Sequence, residues 1–170
     1  MHAAVRADAT ESARLRALPK AEVHVHLEGC LEPALLEKWA LQAGVPMPRP
    51  RERLLQFSGL ADFLHFLDWA CGLAATRERL AEVAYGFAQR LQADGTAYAD
   101  AIFNPTHWKG WHGRLPAMLE AFDAGFAAAE QDGLPRVGLC VSLLRTQSAE
   151  AAIELVEMLA ALRHRRVVAL

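Results

Sequence analysis

Two histidines, His24 and His26, are separated by a single residue within a short apolar segment, and a carboxylate and a glycine, Glu28 and Gly29, follow them. Alternate side chains of a β-strand point to the same face, so a strand here brings both imidazoles close enough to hold one metal ion. The neutral imidazole is a common zinc ligand. The segment therefore predicts a metal site, and two structural histidines satisfied by hydrogen bonds are the simpler alternative.

The residues around the pair predict the strand that positions it. Pro19 favours an extended entry, so we expect a strand over residues 21–27 that turns at Gly29. On this strand Val23 and Val25 are expected on the face opposite the histidines, packed against a covering layer.

Longer motifs carry a family resemblance. Residues 18–33, LPKAEVHVHLEGCLEP, resemble the opening strand of the adenosine deaminase family of zinc-dependent purine aminohydrolases. Weaker similarities follow in the same order: residues 98–105, YADAIFNP, resemble the second barrel strand of the family, and residues 141–145, VSLLR, resemble the third. The resemblance extends over residues 18–170.

This resemblance implies the chemistry of the site. It makes His24 and His26 ligands of one zinc ion, and it makes Glu28, together with Gly29, part of the substrate contact. The implied reaction is hydrolytic deamination at C6 of a purine, adenosine to inosine plus ammonia. The third zinc histidine, the zinc aspartate and the catalytic residues of the family belong to later strands, so we expect no catalytic residue within this chain and no activity from the chain alone.

Two departures from the family pattern leave the substrate open. Glu28 stands where many adenosine-specific members have aspartate, and Asp100 stands where glutamate is more usual. Glu28 and the LEGxLEP motif favour adenine or a modified adenine as the alternative substrate. A different class also remains, a half-barrel without catalysis that binds a metal or a partner. A His-Ala-Gly-Glu run and a Ser-x-Asp-Asp pair after Leu170 would discriminate in favour of the enzyme.

Strand and helix signals alternate along the chain. The pattern predicts strands over residues 21–27, 96–103, 136–144 and 166–170, and helices over residues 33–44, 51–57, 60–73, 77–93, 115–131 and 148–163. A short N-terminal helical arm over residues 1–17 is expected to have Thr10 or Ser12 as its cap. Such alternation predicts an α/β fold with parallel strands joined by crossovers.

Length limits how much of a barrel this chain supplies. A (β/α)8 barrel takes about 250 residues, whereas this chain has 170. We therefore expect a single domain in which residues 18–170 form the first four βα units, the N-terminal half of a barrel, with extra helices between strands one and two. Those helices act either as a lid or as a local core.

Two further positions are candidates for the substrate site. Trp108 lies in a loop after the second strand that also contains His107, Trp111 and His112, and its ring either forms a pocket wall or packs over the barrel mouth. We do not expect these histidines to bind zinc. Arg145, just after the third strand, either donates an ion pair or positions the site.

The composition of the chain limits the classes of binding partner that we expect. Hydrophobic residues make up 53% and charged residues 22%, with a net charge of −2, so no basic patch predicts binding to nucleic acid or to a membrane. Three cysteines without C-x-x-C spacing predict neither a disulfide framework nor a thiolate zinc site. We expect no secretory leader and a cytoplasmic protein. The family resemblance implies that its partner is a small purine. The oligomeric state is left open.

Overall fold

In the part of the chain that the structure describes, four parallel strands form one sheet in chain order. The structure is a computed structural model that describes residues 9–170. The strands are β1 (Lys20–His26), β2 (Thr96–Phe103), β3 (Arg136–Val141) and β4 (Val167–Ala169), and each pairs with the next in parallel. Parallel neighbours require long crossover connections, which the helices supply. The predicted α/β class and strand order are confirmed.

Within residues 9–170, six α-helices accompany the sheet. They are α1 (Ala9–Ala17), α2 (Pro33–Ala43), α3 (Leu60–Leu73), α4 (Arg77–Ala93), α5 (Leu115–Gln131) and α6 (Ala149–Leu162), with short 3₁₀ turns at Leu27–Cys30, Arg51–Arg53 and Lys109–Trp111. No helix within residues 9–170 has both the length and the apolar character needed to cross a membrane.

Local side-chain chemistry explains several helix ends. The Thr76 hydroxyl accepts a hydrogen bond from the Arg79 backbone N–H at 3.3 Å, and the Ser148 hydroxyl accepts one from Ala151 at 3.2 Å. Both are N-caps, as predicted for α4 and α6. Gly44 ends α2 in the left-handed conformation, which costs glycine least.

Three predicted boundaries are wrong. Thr10 and Ser12 lie inside α1, which already includes Ala9, so neither caps it; residues 1–8 of the predicted arm lie outside the described residues. The helix expected over residues 51–57 is only a 3₁₀ turn, Arg51–Arg53, because the Arg49 guanidinium binds the Gln56 carbonyl and holds the following segment as a loop. The third strand ends at Val141, where its partner β2 also ends.

The sheet has one covered face and one open face. Ala99, Ala101 and Phe103 of β2 are fully buried under the helices, and Phe103 meets Phe122 of α5 with ring centroids 5.5 Å apart. The residues that alternate with them, such as Ile102, are only half-buried. The concave side of the sheet, which a complete barrel would enclose, is therefore open.

Close packing of α4 against α5 explains the glycine inside α5. A Cβ built on Gly125 would lie 2.2 Å from the Ala81 carbonyl oxygen of α4, so only glycine permits this approach.

A buried arginine anchors β4 to the helical layer. Arg166 is 5% exposed, and its guanidinium donates to Asp123, to Glu130 at 2.8 Å and to the Val137 carbonyl at 2.9 Å. Burial opposes ionisation of Asp123, but hydrogen bonds from Arg166 and Arg165 outweigh it and lower the pKa of Asp123 below its ordinary value. This network fixes the last strand although the strand is only three residues long.

A bulge interrupts β1 next to the histidine pair. Glu22 pairs with Ala99 and Val25 with Ala101, so three steps along β1 match two steps along β2. Val25 packs against the core as predicted. The prediction that Val23 also faces the helices is wrong, because the bulge shifts the alternation: Val23 is 65% exposed and lines a depression with Ile102 and Cys140.

The open sheet predicts self-association of a polypeptide of residues 1–170. Strands β1 and β4 each have one neighbour, and Val23 and Val168 expose apolar surface there, at 65% and 49%. We expect light scattering after size exclusion to detect oligomers that the double substitution Val23→Lys, Val168→Lys reduces. Leu41→Lys, on an 84% exposed residue of α2, is the control and should change nothing. A monomeric parent polypeptide would contradict this prediction.

Candidate metal centre and substrate site

His24 and His26 lie together at the carboxyl end of β1. Their ring centroids are 5.6 Å apart and the rings meet edge to face at 65°. The His26 side chain is 55% exposed, and His26 pairs in register with Ile102 of the open face. The strand and the bulge therefore bring the two imidazoles together on the concave side of the sheet.

This donor pair fits part of a zinc site. Zinc accepts neutral imidazoles, and structural or catalytic sites have at least three protein ligands. Within residues 9–170 no group of three or more histidine, cysteine, aspartate or glutamate side chains is arranged to hold a metal ion. His24 and His26 would hold a zinc ion together with ligands that this stretch does not supply.

The carboxylate of Glu28 lies directly beyond the pair, in the Leu27–Cys30 turn. Glu28 is 2% exposed. Its Oε1 accepts hydrogen bonds from the backbone N–H of Asn104 and from the indole N–H of Trp108, the latter at 3.2 Å. Its Oε2 is buried and has no hydrogen-bond partner within residues 9–170. His26 Nδ1 lies 3.9 Å from Oε2, beyond hydrogen-bond distance.

The electrostatics of Glu28 are typical of a functional position. Burial raises the pKa of Glu28, and the hydrogen bonds from Asn104 and Trp108 offset only part of that effect. The alternative that Glu28 is stabilised by the N-terminus of α2 is not supported by its contacts, since both donors come from the loop after β2. A buried acid with one free oxygen beside an imidazole pair is a candidate binding group.

Helix α4 supports the turn from the other side. The Arg90 guanidinium donates to the Cys30 carbonyl and to Glu32 at 2.5 Å, while the Cys30 thiol donates to the His26 carbonyl at 3.3 Å. Burial raises the pKa of the Cys30 thiol to about 11. A thiol with so high a pKa stays protonated at neutral pH.

Both tryptophans of the loop after β2 are buried. Trp108 is 0% exposed and packs edge to face on Phe122 with centroids 5.4 Å apart; Trp111 is 4% exposed and donates to the Ala74 carbonyl at 2.9 Å. The packing alternative therefore describes these rings. Trp108 reaches the site by donating its hydrogen bond to Glu28, and its ring faces do not line an open pocket.

Few contacts with the described residues constrain Gly29 and Arg145, the two remaining candidates. Gly29 has no positive φ, and a Cβ built on it meets nothing within 4 Å, so no described residue requires a glycine there. Arg145 is exposed on the loop after β3 and forms no ion pair with any residue of 9–170. Their contacts with a substrate stay predictions.

The segment between β1 and β2 forms a local aromatic core. The Phe57 ring lies 5.1 Å from Phe63 and 5.2 Å from Phe66, centroid to centroid. Helix α3 also packs against the Leu27–Cys30 turn and the Lys109–Trp111 turn. The local-core alternative is supported, and the helix is in addition a neighbour of the site.

Sequence reasoning missed two residues of this arrangement. Asn104 is 5% exposed and supplies a donor to Glu28, and Asp68 of α3 binds His107 in the same loop. The available signal for Asn104 was its position at the end of a parallel strand, where site residues concentrate. Nothing in the local sequence connects Asp68 with residues 39 positions away.

Comparisons with known proteins identify the family and the fold. Residues 19–170 match the family model described as adenosine deaminase. An adenine deaminase of Caulobacter vibrioides is 33% identical over 84% of the chain and 43% of its own length, and an adenosine deaminase of Enterococcus faecalis is 30% identical over 72% of the chain and 38% of its length. A crystal structure of an amidohydrolase from Burkholderia ambifaria with bound zinc aligns over 97% of the chain and 46% of its own, with a TM-score of 0.84 and 25% identity.

The chain spans less than half the length of these relatives. Its four parallel strands and the helices that connect them are the N-terminal half of a (β/α)8 barrel, with extra helices between the first two strands, as the sequence predicted.

The hydrogen bonds to Oε1 of Glu28 predict different effects of two substitutions on stability. Glu28→Gln keeps an oxygen for Asn104 and Trp108 and removes a buried charge, so we expect thermal denaturation of the metal-free protein to show equal or greater stability. Glu28→Ala leaves two buried donors unsatisfied and should lower the free energy of unfolding by about 2 kcal/mol. Equal losses in both variants would contradict the role of Oε1 as the acceptor.

Proposed function

Because the chain belongs to the adenosine deaminase family, we propose that the protein containing it hydrolyses the C6 amino group of an adenine-containing purine. Water adds at C6, the C–N bond breaks, and ammonia leaves an oxo-purine. The observation that carries this proposal is the buried Glu28 carboxylate, with Oε2 free, beside the imidazoles of His24 and His26.

The metal part of the proposal is one zinc ion held by His24 and His26. When bound, zinc would lower the pKa of a coordinated water to about 7 and would so supply the nucleophile that hydrolysis of an aromatic amine needs. The relative from Burkholderia ambifaria with bound zinc supports this choice. Within the chain, β1 and its bulge hold the two rings, and the Cys30 thiol bonded to the His26 carbonyl fixes the backbone that follows.

The substrate part of the proposal assigns Glu28 and Gly29 to the purine. Oε1 is occupied, so Oε2 is the atom that accepts a hydrogen bond from a ring N–H or a ribose hydroxyl. Gly29 leaves open space beside it. Trp108 acts on the substrate through Glu28, and Arg145 is the remaining candidate on the open rim.

The rest of the machinery belongs to the full-length protein. The family resemblance assigns the remaining zinc ligands and the proton donor to later strands, so residues 1–170 alone are inactive in this proposal. Three free cysteines within the described residues support a cytoplasmic location.

Adenosine is the first candidate substrate, and adenine or a modified adenine is the second. Glutamate reaches about one methylene further than aspartate, and a free base lacks the ribose that an aspartate would contact. The relatives include an adenine deaminase and an adenosine deaminase, so both substrates have support. A non-catalytic half-barrel is the alternative of another class.

The substrate panel tests this proposal. We expect the zinc-loaded full-length protein to release ammonia from an adenine ring, and Glu28→Asp to change the preference among adenine, adenosine and N6-modified adenines by about tenfold, because the shorter carboxylate moves its free oxygen. Glu22→Asp, the same change at an exposed position of β1, is the control and should leave the preference unchanged.

If the zinc-loaded protein releases ammonia from none of these purines, the deaminase proposal is contradicted. The result would then favour a non-catalytic half-barrel that binds a metal or a partner. A preference that Glu28→Asp leaves unchanged would remove Glu28 as the specificity residue and keep the reaction.

A further inference from the structure

The two donors that hold Glu28 come from one short segment. The Asn104 backbone N–H and the Trp108 indole are four residues apart, and both bind the same oxygen, Oε1. A small change in the backbone between them would therefore separate one donor from the carboxylate. The orientation of the free Oε2 depends on how this segment, residues 104–108, is held.

Backbone hydrogen bonds from His107 to Asn104 and from Trp108 to Pro105 hold the segment, and His112 contacts the Thr106 carbonyl. Two further contacts involve side chains of the segment. At its start, the Asn104 side-chain oxygen accepts from the Thr106 backbone N–H at 2.9 Å and from the Thr106 hydroxyl at 2.7 Å. Near its end, His107 Nδ1 lies 2.8 Å from Asp68 Oδ1 of α3. The first contact shapes the turn, and the second attaches the turn to a different element of the fold.

Asp68 lies on α3 and is the end of this attachment outside the loop. Its other oxygen, Oδ2, binds the Lys109 ammonium at 2.8 Å. Burial opposes its ionisation, but hydrogen bonds from His107 and Lys109 lower the pKa of Asp68 below its ordinary value. An ionised carboxylate only accepts, so His107 donates through Nδ1.

We infer that Asp68 is a positioning residue for the substrate contact: its bond to His107 fixes residues 104–108 so that Asn104 and Trp108 both bind Oε1 of Glu28 and leave Oε2 free for the purine. The inference rests on the proposed function for the identity of the ligand. The positioning itself is a property of the described residues.

The exposure of the Asp68–Lys109 pair distinguishes a positioning role of Asp68 from a role in global stability. The Asp68 side chain is 34% exposed and that of Lys109 is 61% exposed, and pairs of this kind contribute little to global stability. Loss of Asp68 should therefore leave the melting temperature nearly unchanged. Its effect should appear where Trp108, one residue after His107 and 0% exposed, meets Glu28.

Three variants of the full-length protein isolate the contact. Asp68→Ala removes both bonds. Asp68→Asn keeps an oxygen for His107 and loses the charge that binds Lys109, and Lys109→Ala removes only the exposed pair. Only the first variant should disturb the segment, so Asp68→Asn is the conservative rescue and Lys109→Ala is the matched control.

The first measurement needs no turnover. In the metal-free protein, the ¹H–¹⁵N signal of the Trp108 indole, assigned with Trp108→Phe, should shift and exchange faster with solvent in Asp68→Ala. It should remain close to the parent signal in Asp68→Asn and Lys109→Ala.

The second measurement is a double-mutant cycle on the zinc-loaded protein. Asp68→Ala should raise KM for the adenine-ring substrate about tenfold with kcat changed less, because the lost contact is made in both the ground state and the transition state. In a Glu28→Ala background the same substitution should change KM by less than about twofold.

The outcomes separate the two proposals. An unchanged indole signal in Asp68→Ala, or an equal effect on KM with and without Glu28, overturns the positioning role. Absence of turnover in the parent protein overturns the proposed function, and the indole signal then still decides the positioning. If Glu28→Ala does not fold, the indole signal alone decides it.

Discussion

A carboxylate buried between two loops is the constraint on which the site depends. Removing an ionised group from water costs free energy unless hydrogen bonds replace the lost solvent. Glu28 receives two such bonds, both on Oε1, and both donors come from the loop after the neighbouring strand. The carboxylate thus joins the ends of β1 and β2, and the oxygen left without a partner is the part of the group that a ligand can satisfy.

The sheet explains why the ligand would enter from one side only. Helices cover the outer face, where Ala99, Ala101 and Leu139 are fully buried, while the concave face remains open. His24, His26 and Glu28 lie at the carboxyl end of the first strand, which is where barrel enzymes place their sites. The bulge at the middle of β1 and the turn after it set the directions of the three side chains.

The alternation of helix and strand patterns was enough to predict parallel strands with crossover helices, and the His-x-His spacing was enough to predict neighbouring imidazoles, because each depends on local pattern and chain direction. The strand order of a half-barrel came from the family resemblance. The expectations of a zinc ion and of a purine substrate came from the family motif in residues 18–33. The bulge at Val23 depends on register against β2, and the contacts of Glu28 with Asn104 and Trp108 join residues about 80 positions apart. Such pairings arise from tertiary packing, so a single sequence does not reveal them.

Anomalous diffraction at the zinc absorption edge, from crystals of the full-length protein, tests the central claim most directly. The account predicts one anomalous peak on the concave side of the sheet, with a ring nitrogen of His24 and one of His26 each about 2.0–2.1 Å away, and with Oε2 of Glu28 outside the coordination sphere. A peak elsewhere, or imidazoles of His24 and His26 that do not bind the metal, would contradict it.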